Sequence, residues 1–204
     1  KAGNVNEEQG WKWLNENYPA IANQLLRHVV KAKQRGDKGN FWWELRACVY
    51  YNEFETNKIS LAEIAQTNHF TIDFNGGYYD TTAYIIGSDD LFLLSLLNSK
   101  LLLFYFESIS SQIRGGFLRW KRQYMIHLPI AQADEETKAG IRALVEQVLA
   151  TKQADAGADT TVLEAEIDLQ VYRLYNLTYD EVLLVEPGFA MPREEYEKQE
   201  ILSR

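Results

Sequence analysis

The stretch LFLLSLLNSKLLLFYF at positions 91–106 constrains the fold more than any other, because so much apolar surface must be removed from water. It is shorter than the roughly 20 apolar residues that a membrane helix needs, and two serines, an asparagine and a lysine interrupt it. Ser88 precedes it as a candidate N-cap, followed by two aspartates that suit a helix N-terminus. We therefore predict a core helix from Ser88 to about Glu107.

The composition is typical of a folded protein. The 204 residues are 46% hydrophobic and 13% aromatic, enough for one medium domain or a domain with an appendage. Cys48 is the single cysteine, which excludes an internal disulfide and favours a cytoplasmic location. The first residues show no signal peptide and lack an initiator methionine, so we expect a fragment of a longer protein.

Charge is distributed unevenly along the chain. The formal net charge is −8, yet residues 1–130 carry 14 basic and 13 acidic side chains, a net of +1. Residues 131–204 carry 7 basic and 16 acidic side chains, a net of −9. The acidity therefore belongs to the last third, and residues 108–133 contain no acid at all.

Hydrophobic spacing predicts an α+β fold. Residues 7–34 have helical periodicity, with a break at Pro19. The stretch 41–51 predicts a strand, or a short helix followed by one, and residues 57–86 are β-rich. Phe70, Ile72 and Phe74 alternate before Asn75-Gly76, which predicts a hairpin with the strand around 84–86.

The last third predicts helices joined by short connectors. Apolar stripes mark helices at 131–153 and 162–177, and such connectors favour antiparallel packing. Thr178 to Glu181 resembles a further helix cap, and the charged tail after 185 is expected to be loosely ordered. The predicted organisation is a mixed, β-rich domain with core helices (1–132), an antiparallel helical spacer (133–178) and a C-terminal tail (179–204).

Catalytic motifs are scarce. The chain has neither a GxxxxGK[ST] loop nor a GxGxxG fingerprint, and the spacing of its three histidines does not suggest a metal site. Glu53, Glu55 and Lys58 have a faint likeness to a Mg²⁺ nuclease site, although surface or capping roles explain such spacing more often. We predict no catalytic residue and no metal ligand in this chain.

The stretch IRGGFLRWKRQYMIHLPI at 113–130 combines basic residues, glycines and aromatics. Lysine and arginine neutralise phosphates, and glycine lets main-chain amides approach them closely. The alternative is that the charges are solvated and that Phe117, Trp120 and Tyr124 belong to the core. A second basic group, which includes Arg46, accompanies Trp42 and Trp43.

Five segments in a fixed order resemble the C-terminal specificity region of type IIG restriction–modification enzymes and of related stand-alone adenine methyltransferases, and more distantly the specificity subunits of type I systems. They are YPAIANQLL (18–26), RGDKGNFWWELRACVYYNEFETNKIS (35–60), YIIGSDDLFLLSLLNSKLLLFYF (84–106), IRGGFLRWKRQYMIHLPI (113–130) and LEAEIDLQVYRLYNLTYDEV (163–182). The family commonly has a proline before the lysine that matches Lys58, where this chain has Asn57, and a second proline and an aromatic nearby are also missing.

The resemblance implies a target recognition domain that binds double-stranded DNA. Phosphate contacts are then expected from eight residues: Arg114, Gly115, Gly116, Arg119, Lys121, Arg122, Arg46 and Lys58. Base reading is expected from seven more, within 66–69 and 75–82: Gln66, Asn68, His69, Asn75, Tyr78, Tyr79 and Asp80. Trp42, Trp43 and Leu45 are expected to anchor the start of the domain.

The resemblance also describes a parent enzyme. Its methyltransferase domain, the partner of this domain in the same chain, would transfer a methyl group from S-adenosylmethionine to adenine N6, with Mg²⁺ needed if it also cleaves DNA. This chain lacks the Asn/Asp-Pro-Pro-Tyr/Phe motif of that domain, so the fragment itself is expected to use no cofactor. The alternative function is a helical assembly module without DNA contact. No membrane partner is expected.

Overall fold

The computed structural model describes residues 5–113 and 115–202, and the packing of the chain divides it into two units. The first unit is Lys1–Tyr51 and the second is Asn52–Arg204. The division predicted at residue 132 does not coincide with this boundary in packing.

The first unit begins with three helices, α1 (Glu7–Asn17), α2 (Pro19–Leu26) and α3 (Val29–Gln34). Asn6 and Gln9 form a capping box at the start of α1, which satisfies two main-chain donors. Pro19 occupies the first turn of α2, where its missing N–H costs nothing. The predicted break at Pro19 is confirmed.

Residues 35–50 contain neither a helix nor a strand, contrary to the prediction for 41–51. Their aromatic side chains pack on α1 instead: the rings of Trp42 and Trp11 lie 5.0 Å apart. Arg35 donates to the main-chain oxygens of Trp42 and Glu44, which fixes the loop. Trp42 is buried as expected of an anchor, whereas Leu45 is 71% exposed, contrary to the anchoring role expected of it.

The second unit begins within α4 (Tyr51–Glu55) and contains two small antiparallel sheets. The first sheet has the order β3-β1-β4, from β1 (Lys58–Ala62), β3 (Thr71–Asp73) and β4 (Ala83–Ile86). The second has the order β2-β6-β5, from β2 (Ile64–Ala65), β5 (Gln112–Ile113) and β6 (Phe117–Arg119).

The hairpin predicted at Asn75-Gly76 is wrong. Strand β1 lies between β3 and β4 and is antiparallel to both, so β3 and β4 run parallel to each other. Parallel strands cannot be joined by a tight turn and need a crossover. Residues 74–82 provide this crossover and run from the Lys58 end of β1 back to its Ala62 end.

The apolar stretch forms two helices, α5 (Leu91–Asn98) and α6 (Lys100–Ile109), which differ in direction by 60°. Asp90, not the predicted Ser88, caps α5, and Ser99 caps α6 through the amide of Leu102. The polar residues within the stretch therefore end one helix and start the next. None of the described helices could span a membrane alone; only the bent α5–α6 pair has sufficient length and apolar composition.

A short helix, α7 (Arg122–Met125), leads to α8 (Glu135–Ala154) and α9 (Thr161–Leu174). Helix α8 packs against α5 and α9, and α9 also contacts α6. Ile141 of α8 and Val171 of α9 lie in the same buried core as Ile59 and Leu61 of β1. The sheets and helices thus share one core, and the predicted α+β class is confirmed.

The C-terminal segment is helical, contrary to the expectation of a loosely ordered tail. It forms α10 (Tyr179–Val185) and α11 (Arg193–Leu202). The cap predicted at residues 178–181 is present, and Thr178 and Glu181 form it as a capping box. Tyr196 of α11 is fully buried, and its hydroxyl donates to the main-chain oxygen of Leu177 over 2.8 Å.

Candidate nucleic-acid interface

Asp73 organises the start of the crossover loop, residues 74–82. It ends β3 and is 9% exposed. Its two carboxylate oxygens accept from the amide of Asn75 at 2.7 Å and the amide of Gly77 at 2.9 Å. The Tyr79 hydroxyl also donates to it, at 2.9 Å. A short acidic side chain that binds the amides that follow it replaces the hydrogen bonds of a regular element, so the loop is held at its beginning.

Lys58 lies under the same loop with 0% of its surface exposed. Its ammonium is 2.8 Å from the Asp73 carboxylate, 2.7 Å from the Phe54 main-chain oxygen and 3.4 Å from that of Thr56. These contacts use all three of its donors. The pKa of Asp73 is held well below its ordinary value, chiefly by the Lys58 hydrogen bond and then by the amide of Asn75.

The prediction that Lys58 contacts phosphate is therefore wrong, because the side chain is buried and its charge is paired. The same pairing removes Lys58 from the suggested nuclease group with Glu53 and Glu55. Glu55 instead accepts from the Tyr78 hydroxyl at 2.9 Å. In the described ranges, no three His, Cys, Asp or Glu side chains are grouped so as to hold a metal ion.

Exposed side chains on the crossover loop include three of the predicted base readers: Asn75, Tyr78 and Asp80. The Tyr78 ring is 61% exposed although it stacks on Phe54, with ring centres 5.1 Å apart. Tyr79 differs from them, because it is half-buried and its hydroxyl is bound to Asp73. The loop thus presents an amide, a phenol and a carboxylate to solvent.

The other predicted base readers lie between β2 and β3. Gln66 and His69 are exposed, whereas Asn68 is 8% exposed. The Asn68 amide nitrogen donates to the main-chain oxygens of Leu97 and Ser99, each at 2.9 Å. Asn68 holds the break between α5 and α6 and does not reach the surface, so its predicted role is wrong.

The basic stretch 113–130 begins with a hairpin between β5 and β6. Ile113 pairs with Phe117, and the turn between them contains Gly115 and Gly116 at φ values of 95° and 78°. Only glycine adopts such values readily, so this turn requires both residues. The predicted phosphate contact Arg114 lies outside the described residues.

Trp120 anchors the stretch to the core. It is buried and stacks on Phe106 with ring centres 3.8 Å apart. Its neighbours remain accessible: Arg122 is exposed, Lys121 and Arg119 are half-buried. Trp120 is therefore a core residue, as the alternative interpretation expected, and the accessible cations beside it fit either interpretation; their contact with phosphate stays a prediction.

Glu63 joins the crossover loop to the basic stretch. Its amide donates to the Thr82 main-chain oxygen at 2.8 Å, and its own main-chain oxygen accepts from the Trp120 amide at 2.8 Å. Its carboxylate accepts from Arg119 Nε at 2.9 Å. The end of the crossover loop and the basic stretch therefore meet at Glu63, a residue that the sequence did not predict as functional. The one signal in the sequence was a single acid between two apolar strand-forming segments.

Arg46, the remaining predicted phosphate contact, belongs to the first unit. Its side chain is exposed, and its Nε is 3.6 Å from an Asp37 carboxylate oxygen. That pair is on the surface, where such contacts contribute little to stability.

Comparison with known families decides how this arrangement is classified. Residues 16–130 match the model of the TaqI-like C-terminal specificity domain. The chain belongs to this family. A search of curated proteins gave no match.

The TaqI-like C-terminal specificity domain is a target recognition domain of restriction–modification systems and is not catalytic. The matched residues include the whole crossover loop, Glu63 and the basic stretch, and they end just before α8. Family membership therefore indicates sequence-specific DNA recognition, and it covers the part of the chain in which the candidate interface lies.

Proposed function

We propose that this chain reads double-stranded DNA as the specificity domain of an adenine-N6 methyltransferase, either a type IIG restriction–modification enzyme or a stand-alone relative. The observation that carries the proposal is the junction at Glu63, which brings an exposed polar loop beside a basic strand. Sequence-specific proteins need both features: cations that bind the backbone, and polar side chains that reach base edges.

The phosphate contacts are assigned to the cations that remain accessible in the basic stretch. No described acidic side chain lies within ion-pair distance of Lys121 or Arg122, so their charges are available to neutralise phosphate. Gly115 and Gly116 allow the turn to approach the DNA backbone closely. Arg114 precedes them in the sequence and is a further candidate for a phosphate contact. Arg46 is a further candidate on the first unit.

The base contacts are assigned to the crossover loop. The Asn75 side-chain amide can donate to adenine N7 and accept from adenine N6. The Asp80 carboxylate can accept from the amino group of cytosine or adenine. Tyr78 adds an aromatic ring that is 61% exposed, while its hydroxyl donates to Glu55. Gln66 and His69, from the loop before β3, are the remaining candidates.

Methyl transfer would be carried out by another domain of the parent enzyme. Its methyltransferase domain would be joined to this domain in the same chain and would bind S-adenosylmethionine, with Mg²⁺ required only if it also cleaves DNA. The helical part after residue 132 would act as the spacer that packs against that domain or another specificity unit. We place this enzyme in the cytoplasm, where its DNA substrate lies.

The salt dependence of DNA binding tests the proposal. Phosphate contacts release counterions, so the logarithm of the association constant falls linearly with the logarithm of salt concentration, by about one slope unit per contact. We expect Arg122→Ala to weaken binding to every duplex and to lower the slope by about one. The measurement is fluorescence anisotropy with the 204-residue chain, starting at low salt.

Lys198→Ala is the matched control, because it removes one exposed positive charge from α11, far along the chain from the matched segment. It is expected to leave the slope unchanged. Equal effects of the two variants would mean that only overall charge matters. A wild-type chain without measurable affinity for duplex DNA would contradict the proposal and favour the helical assembly module.

A further inference from the structure

Arg119 differs in its surroundings from Lys121 and Arg122, the other described cations of the basic stretch. Its Nε donates to the Glu63 carboxylate at 2.9 Å, while its side chain stays 41% exposed. Glu63 is 20% exposed and is fixed at both of its main-chain polar atoms. Neither terminal nitrogen of Arg119 forms a hydrogen bond within the part of the chain that is described. The guanidinium is thus held from one side and presents its two-pronged end to solvent.

This arrangement suits a neutral ligand better than a phosphate. Arg119 and Glu63 together carry no net charge, so the pair adds little to counterion release, and the carboxylate repels an incoming phosphate. A neutral hydrogen-bond acceptor meets no such repulsion. The carboxylate also holds the guanidinium in one orientation, which reduces the entropy lost when it binds a ligand.

The guanine edge has the matching chemistry. In the major groove guanine presents two acceptors, O6 and N7, which the parallel N–H groups of an arginine bind together. Arg119 also lies beside the end of the crossover loop, because Glu63 binds both Arg119 and Thr82. Base reading is assigned to that loop, so Arg119 is suitably placed to read an adjacent base pair.

We propose that Arg119 reads a guanine in the target sequence and that Glu63 is the residue that positions it. This inference rests on the proposed function, since it names the chemistry of one base contact made by the DNA-reading surface. It also corrects the expectation that Arg119 binds phosphate, and leaves that role to Lys121 and Arg122.

The test combines base preference with salt dependence. The wild-type chain is used to select duplexes from a randomised library, and the selected sequences are then titrated with each variant at several salt concentrations. For Arg119→Ala and Arg119→Lys we expect preference for guanine at one position to fall by about 5- to 150-fold. The salt slope should change little in Arg119→Lys, because that variant keeps the pair with Glu63 neutral. Arg119→Lys keeps the positive charge but lacks the two parallel N–H groups of a guanidinium, so it separates the effect of charge from that of the two-pronged hydrogen bond. Circular dichroism checks that each variant is folded.

Glu63→Gln provides the second readout, because glutamine retains an acceptor for Nε but has no charge. We expect the salt slope to rise by about one, since Arg119 becomes an uncompensated cation, while preference for guanine weakens. A merely structural role of Glu63 would lower the stability of the chain in Glu63→Gln and leave the preference for guanine intact, which would contradict a positioning role.

The outcomes distinguish the inference from the proposed function. If the wild-type chain does not bind duplex DNA, the proposed function fails and the inference fails with it. If it binds, but Arg119→Ala lowers the slope by about one and leaves base preference intact, Arg119 is a phosphate contact and only the inference is overturned. Binding without any preference for guanine overturns it as well.

Discussion

Lys58 and Asp73 explain how a loop without regular structure keeps one shape. Asp73 binds two loop amides and the Tyr79 hydroxyl, and its charge is tolerated away from solvent because Lys58 lies 2.8 Å away. The lysine in turn is held by two main-chain oxygens at the end of α4. Every polar atom of the pair has a partner, which is the condition under which a buried ion pair persists.

Removal of one member of this pair is therefore expected to be costly. Lys58→Met leaves the Asp73 carboxylate buried without its counter-charge, and we expect a loss of about 3–5 kcal/mol in the free energy of unfolding. Urea unfolding followed by circular dichroism measures it. Lys12→Met, which breaks only the exposed pair with Glu16 at 3.9 Å, is the control and should change stability by less than about 1 kcal/mol. Similar losses in the two variants would contradict a special role for the buried pair.

At the scale of single residues, the sequence identifies polar side chains that could bind DNA but does not show which of them are buried. Residue type predicts Lys58 and Asn68 as DNA contacts, yet both are buried and hydrogen-bonded within the protein. Their partners, Asp73 for Lys58 and the main chain at 97–99 for Asn68, were indistinguishable from other polar residues without the fold. Arg122 is exposed, and its contact with phosphate stays a prediction.

Elements were predictable where local signals decide them. Pro19 divides the first helices, and the capping box at Thr178 starts α10, because both effects act within a few residues. The strand pairing was missed because Asn75-Gly76 is a local signal, whereas the insertion of β1 between β3 and β4 depends on contacts made over longer distances. The break at Ser99 has a local cause, since the Ser99 hydroxyl accepts from the Leu102 amide, and Asn68, 31 residues away, also binds the Ser99 main-chain oxygen.

The C-terminal helix offers a prediction at the scale of elements. Tyr196 anchors α11 through its ring, which lies edge-on to Tyr179 and Phe189 at 5.9 Å, and through its hydrogen bond to Leu177. We expect Tyr196→Ala to destabilise the protein by about 3–5 kcal/mol. Urea unfolding measures this loss. Glu195→Ala alters an exposed neighbour and should have little effect, and a neutral Tyr196→Ala would show that the tail does not dock.

In the second unit, the segment proposed to bind DNA and the acidic helices of the last third occupy different parts of the sequence but share one buried core. The acidic residues of the last third belong mainly to helices that pack against α5, α6 and one another, so the net charge of −8 does not describe the surface proposed to read DNA. The family match ends at residue 130, although the core of the second unit continues through α8 and α9. The uneven distribution of charge can be read from the sequence, whereas the shared core can be recognised only from the three-dimensional fold.

A shared core predicts that the second unit unfolds as a whole. Ile141 of α8 is 1% exposed, and Ile141→Ala should remove about 2–5 kcal/mol of stability through the cavity it leaves. Because β1 belongs to the same core, the hydrogen-exchange protection of the Ile59 and Leu61 amides should fall by the same amount as that of α8. Native-state hydrogen exchange measures both, with Glu146→Ala as the exposed control on the same helix. If only α8 and α9 lost protection, the helices after residue 132 would form a separate domain, and the crossover loop would not depend on them.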